Sequence, residues 1–129
     1  MSGASGKPPK KESEEKTLDG VSPAISQLLR KVRLAWLEQV GGPGAPRELV
    51  LQNPEMVIGR SEEADISIGS KLISRKHAVF NKSSTSVRCR DLDSSNGMFL
   101  NGTRVHAADL YEGDTVQIGD VTLVFHEGQ

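Results

Sequence analysis

The residues best suited to chemistry lie in four short motifs between positions 59 and 102. The motifs are Gly59-Arg60, Ser74-Arg75-Lys76-His77, Ser94-Ser95-Asn96-Gly97 and Asn101-Gly102. A phosphorylated side chain carries close to two negative charges and three acceptor oxygens, so its receptor needs a fixed guanidinium together with hydroxyl or backbone donors. Arg60, Ser74 and Arg75 supply these groups. The motifs therefore indicate a phosphate-binding surface and share no catalytic logic.

Two enzymatic interpretations of residues in this region are not supported. Ser74 and His77, with Asp91 or Asp93, have the residue types of a hydrolytic triad. The sequence lacks the Gly-x-Ser-x-Gly turn that exposes a nucleophilic serine, and no second motif supplies an oxyanion loop. Gly69-Ser70-Lys71 lacks the upstream glycine of a nucleotide-binding phosphate loop. We therefore predict that the protein is not an enzyme.

The histidines and the single cysteine give no indication of a metal site or a cofactor. Their positions show no spacing that is typical of metal ligands, and they are His77, Cys89, His106 and His126. Cys89 alternates with Arg88 and Arg90, which predicts an inward-facing core residue. One cysteine cannot form an internal disulfide, which fits a reducing compartment. We expect a cytoplasmic protein, with the nucleus as the alternative if the source is eukaryotic.

The composition of the chain argues against nucleic acid and membrane as partners. The chain has 129 residues, a formal charge of −1 and 4% aromatic residues. It therefore has neither the basic excess nor the aromatic platform of a general nucleic-acid-binding domain. Its apolar runs are only a few residues long, which is too short for a membrane span or a signal peptide. We expect a soluble protein with one domain that contacts neither nucleic acid nor membrane.

The beginning of the chain differs from the rest. Residues 1–20 are rich in Lys, Glu, Ser, Gly and Pro, and this composition predicts a disordered tail. Residues 21–33 are interpreted as a short amphipathic helix and linker, because Ser22 and Pro23 suit a helix start. Its apolar residues share one face at helical spacing: Ile25, Leu28, Leu29 and Val32. This face either braces the domain or binds a partner, and both alternatives stay open.

From residue 34 the hydrophobic period changes to two, and turn residues recur every few positions, which is typical of a β-sandwich. We predict an all-β domain over residues 34–129 with ten to eleven mostly antiparallel strands. Strands are expected at 34–40, 47–52, 56–59, 66–68, 78–82, 87–92, 98–100, 103–105, 115–118 and 121–126. In this arrangement Arg60, Ser74 and Asn96 lie in three connections that can meet at one end of the sandwich.

The order and spacing of the four motifs resemble the forkhead-associated (FHA) domain, a module that binds phosphothreonine peptides. The resemblance covers residues 34–126 and implies an FHA-type β-sandwich. It implies that Arg60 contacts the phosphate and that Ser74 binds it through its hydroxyl and backbone. Arg75 stands at a position that varies in the family, where a basic side chain adds a phosphate contact. Taken alone, Arg60 would be interpreted as a surface salt-bridge residue.

The remaining motif residues are assigned supporting roles by the same resemblance. Asn96 binds the main chain of the peptide, although Asn-Gly also suits a turn with positive φ. Structural support of the site is expected from four residues: Gly59, His77, Gly97 and Asn101. His77 braces the loop that presents Ser74. One departure is Met98, which stands where the family commonly has threonine.

The resemblance implies an adaptor that binds a phosphothreonine protein downstream of a Ser/Thr kinase. The alternative is an FHA-type domain that binds partners independently of phosphate. The third residue after the phosphothreonine is expected to set selectivity: exposed Lys71 and Arg75 favour an acidic residue there, whereas Leu72 and Ile73, if exposed, favour an aliphatic one. Thr17 is the only threonine of the predicted tail. We hypothesise that phosphorylated Thr17 binds its own domain or a second copy, against the alternative of an unmodified tail.

Overall fold

The computed structural model of the chain describes Ala24 and residues 34–128. Apart from Ala24, the predicted tail and helix lie outside the described residues, as does Thr17. Among the described residues, no helix is long and apolar enough to cross a membrane. The strands are β1 (Trp36–Gly41), β2 (Arg47–Val50), β3 (Glu55–Gly59), β4 (Ile66–Ser67), β5 (Ala78–Lys82), β6 (Val87–Asp91), β7 (Met98–Leu100), β8 (Thr103–Val105), β9 (Ala107–Leu110), β10 (Thr115–Ile118) and β11 (Val121–His126).

The strands form two sheets that enclose one core. The five-stranded sheet has the order β9-β6-β5-β3-β4, and the six-stranded sheet has the order β2-β1-β11-β10-β7-β8. Every pairing is antiparallel except β3 with β4, in which Ile58 lies opposite Ile66. The predicted all-β sandwich of mostly antiparallel strands is confirmed.

Alternation of side chains along the strands builds the core. In β11, Val121, Leu123 and Phe125 are buried, while the residues between them are partly exposed. Phe80 on β5 is buried in the same core. Cys89 on β6 is fully buried, as predicted, and burial raises the pKa of its thiol to about 11. The apolar faces of the two sheets therefore stabilise the sandwich by removing this surface from water.

Strand β9 lies outside the predicted strands. Its sequence, Ala-Ala-Asp-Leu, has no β-branched or aromatic residue, so local preference does not favour a strand there. The strand forms because it pairs with β6 at the edge of the sheet, with Ala107 opposite Arg90 and Leu110 opposite Val87. Tertiary pairing thus decides the structure of this segment.

Four connections meet at one end of the sandwich. The Arg60 amide, after β3, donates to the Ser74 carbonyl, before β5, at 3.0 Å. His77 Nε2 lies 2.8 Å from the carbonyl of Gly97, which precedes β7. The β10–β11 turn also belongs here, because a Cβ placed on Gly119 would be only 2.5 Å from the Leu72 carbonyl oxygen. The motif loops, except Asn101-Gly102, therefore share one rim.

Candidate functional site

Arg60 and Ser74 are held together through their backbones. Besides the Arg60–Ser74 bond, the Ser61 amide donates to the Arg75 carbonyl at 3.1 Å. The Arg60 side chain is exposed, and its Nε donates to the Ile73 carbonyl at 3.3 Å. Its two terminal nitrogens have no hydrogen-bond partner or ion pair within residues 34–128. This leaves the outer edge of an anchored guanidinium available to an anion.

Gly59 permits this close approach of the two segments. It is buried at the end of β3, and a Cβ at this position would lie 2.0 Å from the Arg75 carbonyl oxygen. Any other residue would push the Ser74-Arg75 loop away from the strand. The missing side chain of Gly59 therefore lets β3 and the Ser74-Arg75 loop approach each other.

His77 connects the Ser74 loop to the β6–β7 turn. It is fully buried, and its Nδ1 accepts a hydrogen bond from the Ser74 amide at 3.0 Å. Because Nδ1 is an acceptor, the ring proton of the neutral tautomer is on Nε2, which donates to the Gly97 carbonyl at 2.8 Å. His77 therefore fixes the position of the Ser74 backbone.

The groups that Ser74 and Arg75 offer to a ligand follow from these bonds. The Ser74 amide is used by His77, so it is not available to a phosphate. The Ser74 hydroxyl oxygen accepts from the Ser95 amide at 3.1 Å, which leaves its proton for donation. Arg75 is exposed, and its amide has no acceptor among residues 34–128. The hydroxyl proton of Ser74 and the amide of Arg75 are therefore the donors next to Arg60.

A network of side chain to backbone bonds shapes the β6–β7 turn. Ser94 Oγ donates to Asp91 Oδ1 at 2.5 Å and accepts from the Gly97 amide at 2.9 Å. Gly97 has a φ of 84°, a conformation that glycine adopts without strain. Asn96 is exposed, and its Nδ2 donates to the Leu72 carbonyl at 2.6 Å. Its Oδ1 remains as an acceptor for a peptide N–H, since no described residue donates to it.

Ser70 and Asp120, which lie outside the four motifs, hold the loop that precedes Ser74. Ser70 is buried, with 3% of its surface exposed, and its hydroxyl donates to the carboxylate of Asp120. The Ser70 oxygen accepts from the Leu72 amide at 3.0 Å. The Leu72 backbone is therefore held at its amide by Ser70 and at its carbonyl by Asn96. No local pattern indicates this pair, because its members lie on different connections and meet only in the fold.

Asn101 lies at the opposite end of β7 from Gly97. It has a φ of 49°, and its side chain donates to Asp114 at 3.0 Å and accepts from the Thr115 amide at 2.9 Å. Asn101 thus ties the β7–β8 turn to the start of β10, at the end of the sandwich away from Arg60 and Ser74. Met98 is fully buried in the core, so the side chain at this position contributes packing where threonine would offer a hydroxyl.

Cationic and apolar groups surround the site. Lys71, Arg75 and Lys76 are exposed around Ser74. Leu72 is 52% exposed, whereas Ile73 is buried. Within residues 34–128, no group of three or more His, Cys, Asp or Glu side chains is arranged to hold a metal ion.

Comparison with known proteins yields one family. The family model described as the FHA domain matches residues 56–119. The oxoglutarate dehydrogenase inhibitor of Corynebacterium diphtheriae is 38% identical over 87 residues, which cover 67% of this chain and 61% of that protein. The glycogen accumulation regulator GarA of Mycobacterium tuberculosis is 32% identical over 117 residues, which cover 91% of this chain and 67% of GarA. The chain therefore spans less than two thirds of the first relative and about two thirds of the second.

A solved structure is also similar to this chain in both sequence and fold. Mycobacterium tuberculosis EmbR, in complex with a low affinity phosphopeptide, is 32% identical with a TM-score of 0.69. The match covers 74% of this chain and 25% of that chain.

Proposed function

The chain belongs to the FHA domain family, and on this premise we propose that it binds proteins that carry a phosphothreonine. It acts as a non-catalytic adaptor downstream of a Ser/Thr protein kinase and requires no cofactor. The phosphopeptide bound to EmbR supports the ligand class. The names of the inhibitor and regulator relatives support a regulatory role. These relatives are bacterial, which favours the cytoplasm over the nucleus as the place of action.

The observation that carries the proposal is the pairing of an anchored cation with neighbouring donors. The Arg60–Ser74 backbone bond, at 3.0 Å, and the bond from Arg60 Nε to the Ile73 carbonyl, at 3.3 Å, hold the guanidinium against the loop that carries the Ser74 hydroxyl and the Arg75 amide. A phosphate needs this combination of a planar cation and several hydrogen-bond donors. The charged side chain of Arg75 adds to the positive field. Asn96 Oδ1 is suited to hold the main chain of the peptide at the adjoining turn.

The same geometry argues against hydrolysis. A general base must accept the proton of the serine hydroxyl, but His77 Nδ1 is bound to the Ser74 amide instead. The other ring nitrogen donates to the Gly97 carbonyl, and Asp91 Oδ1 lies 3.8 Å from it. The histidine therefore acts as a brace and the site as a binding site.

Affinity and selectivity follow from the number of contacts. Three or four charge-assisted hydrogen bonds contribute about 5 to 10 kcal/mol before the cost of association. Binding in the roughly millimolar to micromolar range is therefore expected for the phosphothreonine alone. Residues that follow it add selectivity, and exposed Leu72 and Lys71 are the side chains that the loop offers to them. Ile73 is buried and takes no part in selection.

A peptide library tests the proposal. The purified chain is incubated with degenerate peptides that contain phosphothreonine, phosphoserine or unmodified threonine at a fixed position. We expect enrichment of the phosphothreonine peptides and loss of binding after phosphatase treatment. Binding that survives the phosphatase would replace the proposal with phosphate-independent recognition. Release of inorganic phosphate from the peptides would contradict the non-catalytic assignment.

We also propose phosphorylation of Thr17 as a means of self-regulation. A tethered ligand reaches an effective concentration of about millimolar, enough to occupy a site with micromolar affinity. Phosphorylated Thr17 therefore blocks the site in its own chain or joins two copies. Chemical-shift changes at Arg60, Ser74 and Asn96 on phosphorylation are the expected result, with light scattering to separate monomer from dimer. Resonances that match those of Thr17→Ala would contradict it.

A further inference from the structure

Arg104 on β8 covers the turn that carries Asn96. It lies opposite Phe99 of β7, and its guanidinium is placed over Gly97. A Cβ built on Gly97 would be 2.8 Å from Arg104 Nε and 3.1 Å from Nη2. A side chain at position 97 would displace the guanidinium, whereas the glycine leaves room for it. The guanidinium of this exposed side chain therefore lies over the turn that carries Asn96.

The charge of Arg104 is not compensated by a neighbour in the described part of the chain. Within residues 34–128 its guanidinium has neither a hydrogen-bond acceptor nor an acidic group at ion-pair distance. Arg88 behaves differently, because its Nη1 pairs with Asp109 Oδ1 at 3.0 Å on the outer face of the other sheet. Arg104 thus presents a positioned cation with its donors unused by these residues.

Gly97 connects this cation to the phosphate site. Its carbonyl accepts from His77, which holds the Ser74 amide, and its Cα is covered by Arg104. Asn96, the proposed contact to the peptide main chain, is the preceding residue. A peptide that binds Ser74 and Asn96 therefore passes close to Arg104. An extended chain advances about 3.3 Å per residue, so the side chain that meets Arg104 is a few positions from the phosphothreonine.

We propose that Arg104 is a second anion-binding residue of this surface, which pairs with an acidic side chain of the bound peptide. This inference rests on the proposed function. A guanidinium fork matches a carboxylate or a phosphate through two parallel hydrogen bonds. Arg104 adds selectivity for an acidic flanking residue, whereas Arg60 and Ser74 bind the phosphothreonine.

A scan of flanking acids tests the role of Arg104. The peptides contain one phosphothreonine in an alanine background, with one Asp moved through the positions before and after it. Affinities are measured by fluorescence anisotropy for the natural chain, Arg104→Gln and Arg88→Gln. The control variant removes the same charge from a remote face. We expect the natural chain to prefer Asp at one position or two neighbouring positions by about fivefold, as for an exposed ion pair.

The variants are expected to separate the two anion sites. Arg104→Gln loses the preference for Asp but retains its affinity for the all-alanine phosphopeptide, whereas Arg88→Gln retains both. Replacement of the selected Asp by phosphoserine and by Asn shows whether a second phosphate is bound more strongly than a carboxylate. An Asp preference that persists in Arg104→Gln, or no Asp preference in the natural chain, would overturn the proposal. An equal loss for all peptides in Arg104→Gln would also overturn it and assign Arg104 to turn packing. If the natural chain binds no phosphopeptide, the proposed function falls as well.

Discussion

Arg60 is the residue whose removal separates binding from folding. It contributes one side-chain hydrogen bond to the fold, from Nε to the Ile73 carbonyl, and its terminal nitrogens face solvent. Two lost charge-assisted bonds correspond to about 3 kcal/mol, or roughly a hundredfold in affinity. We therefore expect Arg60→Ala to abolish measurable phosphopeptide binding, while the free energy of unfolding changes by about 0.5 kcal/mol or less. Titration calorimetry and thermal unfolding are the measurements.

Arg88→Ala is the matched control for Arg60→Ala. Arg88 is an exposed arginine that pairs with Asp109 on the five-stranded sheet, so its loss changes the net charge equally. We expect this variant to bind as the natural chain does. An Arg60→Ala variant whose affinity lies within about threefold of the natural chain, less than 1 kcal/mol, would remove Arg60 from the site.

His77 should behave in the opposite way. His77→Ala deletes a fully buried side chain and leaves the Ser74 amide and the Gly97 carbonyl without their partner. Loss of such bonds together with a new cavity costs about 2 to 4 kcal/mol. Stability and phosphopeptide affinity should therefore fall together. Denaturant unfolding and calorimetry on the folded variant measure the two effects.

Cys89→Ala serves as the control for His77→Ala, because Cys89 is equally buried but lies in the middle of β6, opposite Phe80 and Ala108. It should lower stability and leave affinity unchanged in the folded protein. A His77→Ala variant of full stability that no longer binds would show that His77 contacts the phosphate directly.

At the scale of elements, the β10–β11 turn positions a loop that is distant in sequence. Asp120 holds the buried Ser70 hydroxyl, and Ser70 holds the Leu72 amide two residues before Ser74. We expect Ser70→Ala and Asp120→Ala each to weaken phosphopeptide binding by about three- to tenfold, as for one hydrogen bond of about 1 kcal/mol. Because the two residues act through one bond, the double variant should bind the phosphopeptide no more weakly than the single variant with the lower affinity.

Asn101→Ala is the control for the Ser70–Asp120 pair. It also breaks side-chain bonds between two connections, to Asp114 and to the Thr115 amide, but at the other end of the sandwich. It should reduce stability without reducing affinity. Additive losses of affinity in the Ser70–Asp120 double variant would show that Asp120 does not position the loop through Ser70. An Asp120→Asn variant that binds the phosphopeptide no better than Asp120→Ala would show the same.

Elements were predictable from the sequence where local chemistry decides them. Alternation in β11 and the Gly-rich turn after β1 are local features, and the corresponding strands form as predicted. Strand β9 has no such feature and depends on its pairing with β6. The same distinction holds for the site. Arg60, Ser74 and Asn96 lie in short motifs, whereas Ser70, Asp120 and Arg104 acquire their contacts only through folding.

At the scale of the whole molecule, a cluster of ionisable side chains lies around His126, at the end of the six-stranded sheet away from Arg60 and Ser74. The imidazole of His126, at the end of β11, stacks on Trp36 of β1 with ring centres 4.2 Å apart. Its Nε2 lies 3.0 Å from Glu38, and its Nδ1 lies 2.7 Å from Glu112. The cluster thus links the neighbouring strands β1 and β11 to the turn that precedes β10.

Stability should therefore depend on pH through this cluster. The hydrogen bond with Glu38, followed by that with Glu112, raises the pKa of His126 above its ordinary value of 6.5. The resulting stabilisation is fully present below pH 6.5 and is lost as pH rises through the raised pKa. The Glu127 amide, followed by His126, lowers the pKa of Glu112 below 4.5, so its contribution is lost as pH falls through that lowered pKa.

His126→Gln tests this pH dependence. The difference in free energy of unfolding between the natural chain and this variant should be largest between about pH 4.5 and 6.5 and should shrink on both sides of that window. Urea unfolding at a series of pH values measures it. His106→Gln is the control, because this exposed histidine forms no side-chain hydrogen bond within residues 34–128, unlike His77 and His126. A difference that grows above pH 7 would contradict the sign of the His126 shift, and an equal profile for both variants would assign the pH dependence to other groups.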